Sequence, residues 1–124
     1  MTKPTGAQIR KAVAYWQVAL GLEDWSYTVK VGPMPKDEWG EAVVELPYKK
    51  VHFRFYPKRM HQEGESVDEM AVHEWVHSIT ERFADLALSK CRTQEARDEM
   101  DDEEEALTTA IARLILRLHK RPRE

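Results

Sequence analysis

The chain has one cysteine, few glycines and no long apolar run, and each shortage removes a class of protein. Cys91 has no second cysteine to pair with, so an intramolecular disulfide is excluded and a reducing compartment is favoured. Nothing places a histidine beside it, and it reads as a free structural thiol rather than a nucleophile. No stretch approaches the roughly 20 apolar residues that a membrane helix needs. The five glycines are scattered, and there is no internal repeat and no low-complexity linker. A net charge of −3 gives no case for a nucleic-acid partner. Arg10-Lys11 before Ala12-Val13-Ala14-Tyr15-Trp16 faintly suggests a leader. Gln17 interrupts the run and no small-residue cleavage pattern follows, so the segment reads as an amphipathic helix and the protein as cytoplasmic.

What is present fits one domain over residues 1–124. With 42% hydrophobic and 33% charged residues, the chain can build a modest core. Charge is uneven. Asp98 to Glu105 is acidic, whereas Arg113, Arg117, Lys120, Arg121 and Arg123 make the last segment basic. A helix with acids toward its start and bases toward its end accounts for this through the helix dipole.

The hydrophobic pattern predicts an α+β fold. Residues 5–20 form a helix on Ile9, Val13, Trp16 and Leu20, ended by Gly21. Trp25, Tyr27, Val29 and Val31 alternate with polar residues over 24–31, as in a half-buried strand. Strands are expected at 41–46 and 51–56, joined by a turn at Pro47-Tyr48-Lys49-Lys50 into a hairpin, giving a small, largely antiparallel three-stranded sheet. Residues 33–40 and 57–64 read as loops. Helices are expected over about 66–88 and 93–120. The first has Val72, Trp75, Val76, Ile79, Phe83 and Leu86 as its buried stripe, and the second Leu107, Ile111, Leu114, Ile115 and Leu118. Ser66-Val67-Asp68-Glu69 reads as a capping box.

Inside the first of these helices stands His73-Glu74-Trp75-Val76-His77. Imidazoles four residues apart lie about one turn from each other on one helix face, so both can reach one zinc ion. Glu74 is rotated about 100° from His73 and borders such a metal, where a general base for a zinc-bound water belongs. Catalytic zinc normally takes three protein ligands. A third histidine in the spacing His-Glu-x-x-His-x-x-Gly-x-x-His is excluded, because position 80 is Thr and position 83 is Phe. An acid from the last helix remains. If the two helices turn near Ser89-Lys90-Cys91, roughly 20 Å of helix out and back lands near position 103 or 104. Glu103 and Glu104 each lie about 50° from the centre of the leucine stripe, and Glu105 about 150° away, toward water. Glu104 is preferred, with Glu103 the alternative. Trp75 reads as core. Tyr48, Tyr56 and His52 could help hold an oxyanion only by nearness to the hairpin, and ordinary surface roles suit them better. The third strand is a possible edge for pairing with extended substrate.

Leu22-Glu23-Asp24-Trp25-Ser26-Tyr27, Val72-His73-Glu74-Trp75-Val76-His77 and Glu104-Glu105-Ala106-Leu107 together resemble a very small gluzincin-type zinc metallopeptidase. The chain is similar to the minigluzincins and to compact prophage-borne metallopeptidases of the SprT-like and ImmA/IrrE-type groups, without the Glu-x-Glu-Ala-Asn signature of the last. That resemblance implies a mini-zincin fold: N-terminal helix, small sheet, active-site helix, long C-terminal helix. It implies Zn2+ on His73, His77 and Glu104, Glu74 as base, and a peptide or protein substrate. The rival expectation is a non-catalytic zinc-binding phage interaction or regulatory module, in which His61 or His52 closes the fourth position.

Overall fold

The structure is a computed structural model that describes residues 3–34, 38–45, 48–64 and 66–119, without the side chains of 63 and 82–86. The described elements are α1 (Gly6–Ala19), β1 (Ser26–Val31), β2 (Gly40–Glu45), β3 (Lys50–Phe55), α2 (Pro57–Glu63), α3 (Val67–Ser89) and α4 (Gln94–Leu118). The class is α+β. Most boundaries fall within two residues of those expected, because the local start and stop signals are strong. Thr5 and Gln8 form a reciprocal capping box on α1. At the other end of α1, Gly21 takes φ 71°, and Gly21 and Leu22 donate back to Val18 and Gln17, a closure that favours glycine. Ser66 and Thr93 cap α3 and α4. Of the capping box expected at Ser66, only the serine half forms.

Residues 57–63 are helix, not loop. Pro57 sits at the first turn, where its missing N–H and fixed φ cost nothing. Gly64 ends the helix at φ 71°, and Met60 is fully buried beneath it. Proline and glycine here delimit a helix instead of breaking one.

The sheet is mixed, which corrects the largely antiparallel expectation. Its order is β1-β3-β2, with β1 parallel to β3 and β2 antiparallel to β3. The hairpin forms as expected, but it folds back so that β3 inserts between the other two strands. β3 has the strongest alternation, with Val51, Phe53 and Phe55 buried, and pairing on both sides suits it. β3 is therefore not an edge; β1 and β2 are.

Helices α1 and α3 cover the apolar face of the sheet. Trp75 is fully buried, stands edge-on to Phe53 at 4.7 Å and to Tyr27 at 5.5 Å, and donates its indole N–H to the Val13 carbonyl at 2.9 Å. Trp16 reaches from α1 to the Asp68 carboxylate at 2.7 Å. Together these contacts fix the orientation of α3 about its own axis. Along the stripe expected for α3, Val72, Trp75 and Val76 are buried, but Ile79 is 40% exposed. Phe83 and Leu86 lie outside the described side chains.

A short connection joins α3 to α4 and makes them antiparallel neighbours. Of the stripe expected for α4, Ile111 and Ile115 pack against the core but the three leucines do not. Leu107, Leu114 and Leu118 are exposed at 54%, 51% and 77%, whereas Thr108 and Ala112 are buried, flanked by Ile111, Ile115 and Leu116. The true contact line is rotated about 100° from the expected one. Small residues lie on the seam because they let two helix backbones come close. No described helix is long and apolar enough to cross a membrane.

Candidate metal centre

The rotation of α4 decides which acid meets the histidines. Relative to Thr108 and Ala112, Glu104 and Glu105 stand about 50° to either side of the contact line. Glu105, expected to face water, is 55% exposed and also spans both imidazoles. Its Oε1 is 2.9 Å from His73 Nε2, and its Oε2 is 2.9 Å from His77 Nε2. Glu104 approaches the same histidine from behind, with Oε1 2.9 Å from His77 Nδ1. Glu103 is exposed and has no contact with either ring. The three acids singled out by position thus have three different placements, and the one set aside holds both ring nitrogens that face the cleft.

Glu104 is anchored by α3 and α4 together. Thr80 and Thr108 both donate to its Oε1, and the two hydroxyls lie 3.0 Å apart. Its side chain is only 13% exposed. Both nitrogens of His77 therefore face carboxylate oxygens, which only accept. Burial, the largest influence on this imidazole, pulls its pKa down, but the hydrogen bond to Glu105, the Glu74 charge and the contact with Glu104 overcome it, and the ring is pushed up to about 9. Glu105 is held well below the usual carboxylate range by the hydrogen bonds from His73 and His77.

Glu74 is 3% exposed and lines the cleft. Its carboxylate accepts no hydrogen bond among the described residues. Burial raises it to about 7, against the opposing pull of His77 and His73. It stands in the same group as the two histidines, one donor atom of each lying within 4.8 Å of the others. No local pattern marks Gly40. A Cβ built there would lie 3.1 Å from Glu74 Oε2, so any side chain would press the carboxylate back by a few tenths of an ångström. Trp39, just before it, sets its ring edge-on to His73 at 5.5 Å. The signal that could have found both is the placement of β2 as an edge against α3, which depends on strand order and not on local pattern.

The donor set fits a zinc ion. In a tetrahedral site with bonds of about 2.0–2.1 Å, donor atoms stand roughly 3.3 Å apart. Each Glu105 oxygen lies 2.9 Å from one imidazole Nε2, and donor atoms of His73, Glu74 and His77, and of His77, Glu104 and Glu105, lie within 4.8 Å of one another, so the residue types and their nearness suit the ion. Glu104 then supplies the carboxylate that holds His77 by its other nitrogen, as ligating histidines generally require. His52 lies on the outer face of the sheet, bonded to Thr28 and Glu45, and His61 is exposed on α2. Neither lines the cleft, nor do Tyr48 and Tyr56. His119 is held by Tyr15 at 2.8 Å. Cys91 is half-buried at the α3–α4 connection and donates to the Ala87 carbonyl.

Comparison with protein-family models, with curated proteins and with solved structures finds no match to this chain.

Proposed function

We propose that the chain is a zinc-dependent peptidase of gluzincin type, with His73, His77 and Glu105 as ligands and Glu74 as the general base. The expected ligand Glu104 is reassigned to orienting His77. The observation that carries this reading is the Glu105 carboxylate 2.9 Å from both Nε2 atoms, beside a buried Glu74 that has no hydrogen-bond partner among the described residues. A structural zinc site would be expected to offer a fourth nitrogen or sulfur ligand, and no other histidine or cysteine lines this cleft.

Zinc, when bound, supplies Lewis-acid polarisation of a carbonyl and lets water act as a nucleophile near neutral pH. The remaining work falls to the chain. Glu74 takes a proton from the attacking water at its carboxylate. It returns that proton to the amide nitrogen as the C–N bond breaks, yielding an acid and an amine. Burial suits both steps, since a carboxylate near neutrality accepts and donates readily. Gly40 keeps β2 against Glu74, and the Glu104–Thr80–Thr108 cluster holds the His77 tautomer with Nδ1 protonated. β2 is an edge strand at the cleft, with backbone groups available to pair with an extended peptide. This role was expected of β3, which is central.

The test is Glu74→Gln. The variant should keep one zinc per chain and its fold while losing cleavage of a generic unfolded protein by at least a hundredfold. Loss of zinc from this variant, or a zinc-loaded wild type that cleaves nothing, leaves only a non-catalytic zinc-binding module.

A further inference from the structure

The cleft between β2 and the metal ligands, about 470 Å³, is lined by six carboxylates: Glu38, Glu41, Glu74, Glu81, Glu104 and Glu105. No lysine or arginine lines it among the described residues. A zinc dication offsets two of these charges. Glu104 is turned away onto His77 Nδ1, Thr80 and Thr108. Glu38 and Glu41 remain around the opening, on the β2 side. Glu41 faces Arg54 across the β2–β3 ladder, yet neither Glu41 nor Glu38 makes an ion pair among the described residues.

A further observation ties this acidity to a ligand. Glu74 is 97% buried, lines the same cleft and accepts no hydrogen bond among the described residues, so what its carboxylate meets enters from the cleft. The space on the other side of His73, about 230 Å³, has Arg113 in its wall beside Glu69 and Glu105, so of the two only the β2 side is lined by acids without a cation among the described residues. Clefts of one sign with low-dielectric walls focus their field on what enters.

We propose that the β2 side of the cleft selects a lysine or arginine side chain adjacent to the scissile bond, placed between Glu38 and Glu41, so that the substrates are cationic peptide segments. This rests on the peptidase reading above. A neutral residue there forfeits the attraction, and an acidic one is repelled by every charge in the wall.

The test uses the zinc-loaded full chain and three peptides identical except for one position: lysine, norleucine or glutamate. The lysine peptide should be cleaved with kcat/KM at least tenfold above norleucine, and glutamate tenfold below it. The lysine advantage should shrink as salt rises from 50 to 500 mM, and it should fall below threefold in Glu38→Gln/Glu41→Gln with zinc content unchanged. Binding of the same peptides to zinc-loaded Glu74→Gln, by calorimetry, is the second arm. Tenfold tighter lysine binding with no cleavage by wild type supports the cation-selective cleft while removing the peptidase. Cleavage or binding without preference, a preference that the double variant keeps, or no binding of any peptide overturns the cleft proposal.

Discussion

Glutamine at position 105 and glutamine at position 104 are chemically the same change at adjacent residues, yet the geometry demands different outcomes. Glu105→Gln removes the anionic donor facing two imidazole nitrogens. Four-ligand zinc sites bind with roughly 10–16 kcal/mol, about 3 kcal/mol for each ligand, so losing one should weaken zinc by more than a hundredfold. Glu104→Gln keeps an oxygen to accept from His77 Nδ1, Thr80 and Thr108, and loses only the charge assistance. Hydrogen bonds to charged groups contribute about 1 kcal/mol more than neutral ones, which is roughly fivefold to tenfold in affinity. Glu103→Gln should leave affinity unchanged. The assay is competition for zinc against a chromophoric chelator at fixed pH, with circular dichroism of each metal-free variant to confirm that it folds. A larger loss from Glu104→Gln than from Glu105→Gln would refute the assignment of ligand and orienting residue. Equal, small losses from both would refute a zinc centre between these helices.

Gly40→Ala should lower kcat severalfold to tenfold at constant zinc affinity, because the new Cβ, 3.1 Å from Glu74 Oε2, pushes the base by a few tenths of an ångström; an unchanged kcat shows that the close approach is incidental. The metal-free protein should lose stability as pH rises. His77 is raised in the fold from 6.5 to about 9, so its contribution, about 3 kcal/mol, is fully present below pH 6.5 and lost as pH passes through 9. Glu74, raised from 4.5 to about 7, favours the protonated fold and adds a loss of the same sign between pH 4.5 and 7. Glu105 acts oppositely: its contribution is present above pH 4.5 and disappears in stronger acid. Thermal melts of the chelator-treated protein should show Tm falling from pH 6 to pH 9, and a flat or rising profile contradicts the ion network described around His77.

The elements were legible wherever a local device defines them. Thr5 with Gln8, Ser66, Thr93 and Gly21 mark helix ends by hydrogen bonds made within a few residues, and Val51, Phe53 and Phe55 mark a strand by alternation. Both histidines and Glu74 were legible for the same reason, since a fixed spacing on one helix carries its own geometry. Strand order was not, because it depends on where a hairpin folds back, and a parallel β1–β3 pair leaves no mark in either strand. Gly40 and Trp39 could be recognised only once β2 lay beside α3. The α2 helix was hidden because Pro57 and Gly64, which usually signal loops, here occupy the two helix positions that tolerate them best.

The contact of Glu105 with the histidines escapes the sequence for one reason. Leucine periodicity points to one face of α4 as the inner one, but a helix that must bring carboxylates onto another helix has to approach closely, and leucines hold helices apart. Thr108 and Ala112 occupy the seam instead, and Thr108 also supplies a hydrogen bond to Glu104. Consecutive residues on a helix point about 100° apart, so two adjacent acids centred on a seam emerge on its two sides. One reaches the cleft and the Nε2 atoms; the other reaches the interior and Nδ1. A Glu-Glu pair whose first member stands four residues before a threonine and eight before an alanine is thus a means of holding one imidazole from both ends with a single helix. The acidic run from Asp98 to Glu105, which as composition reads only as a solvated helix start, contains one acid shielded at 13% exposure, Glu104, and one that stays 55% exposed while touching both imidazoles, Glu105.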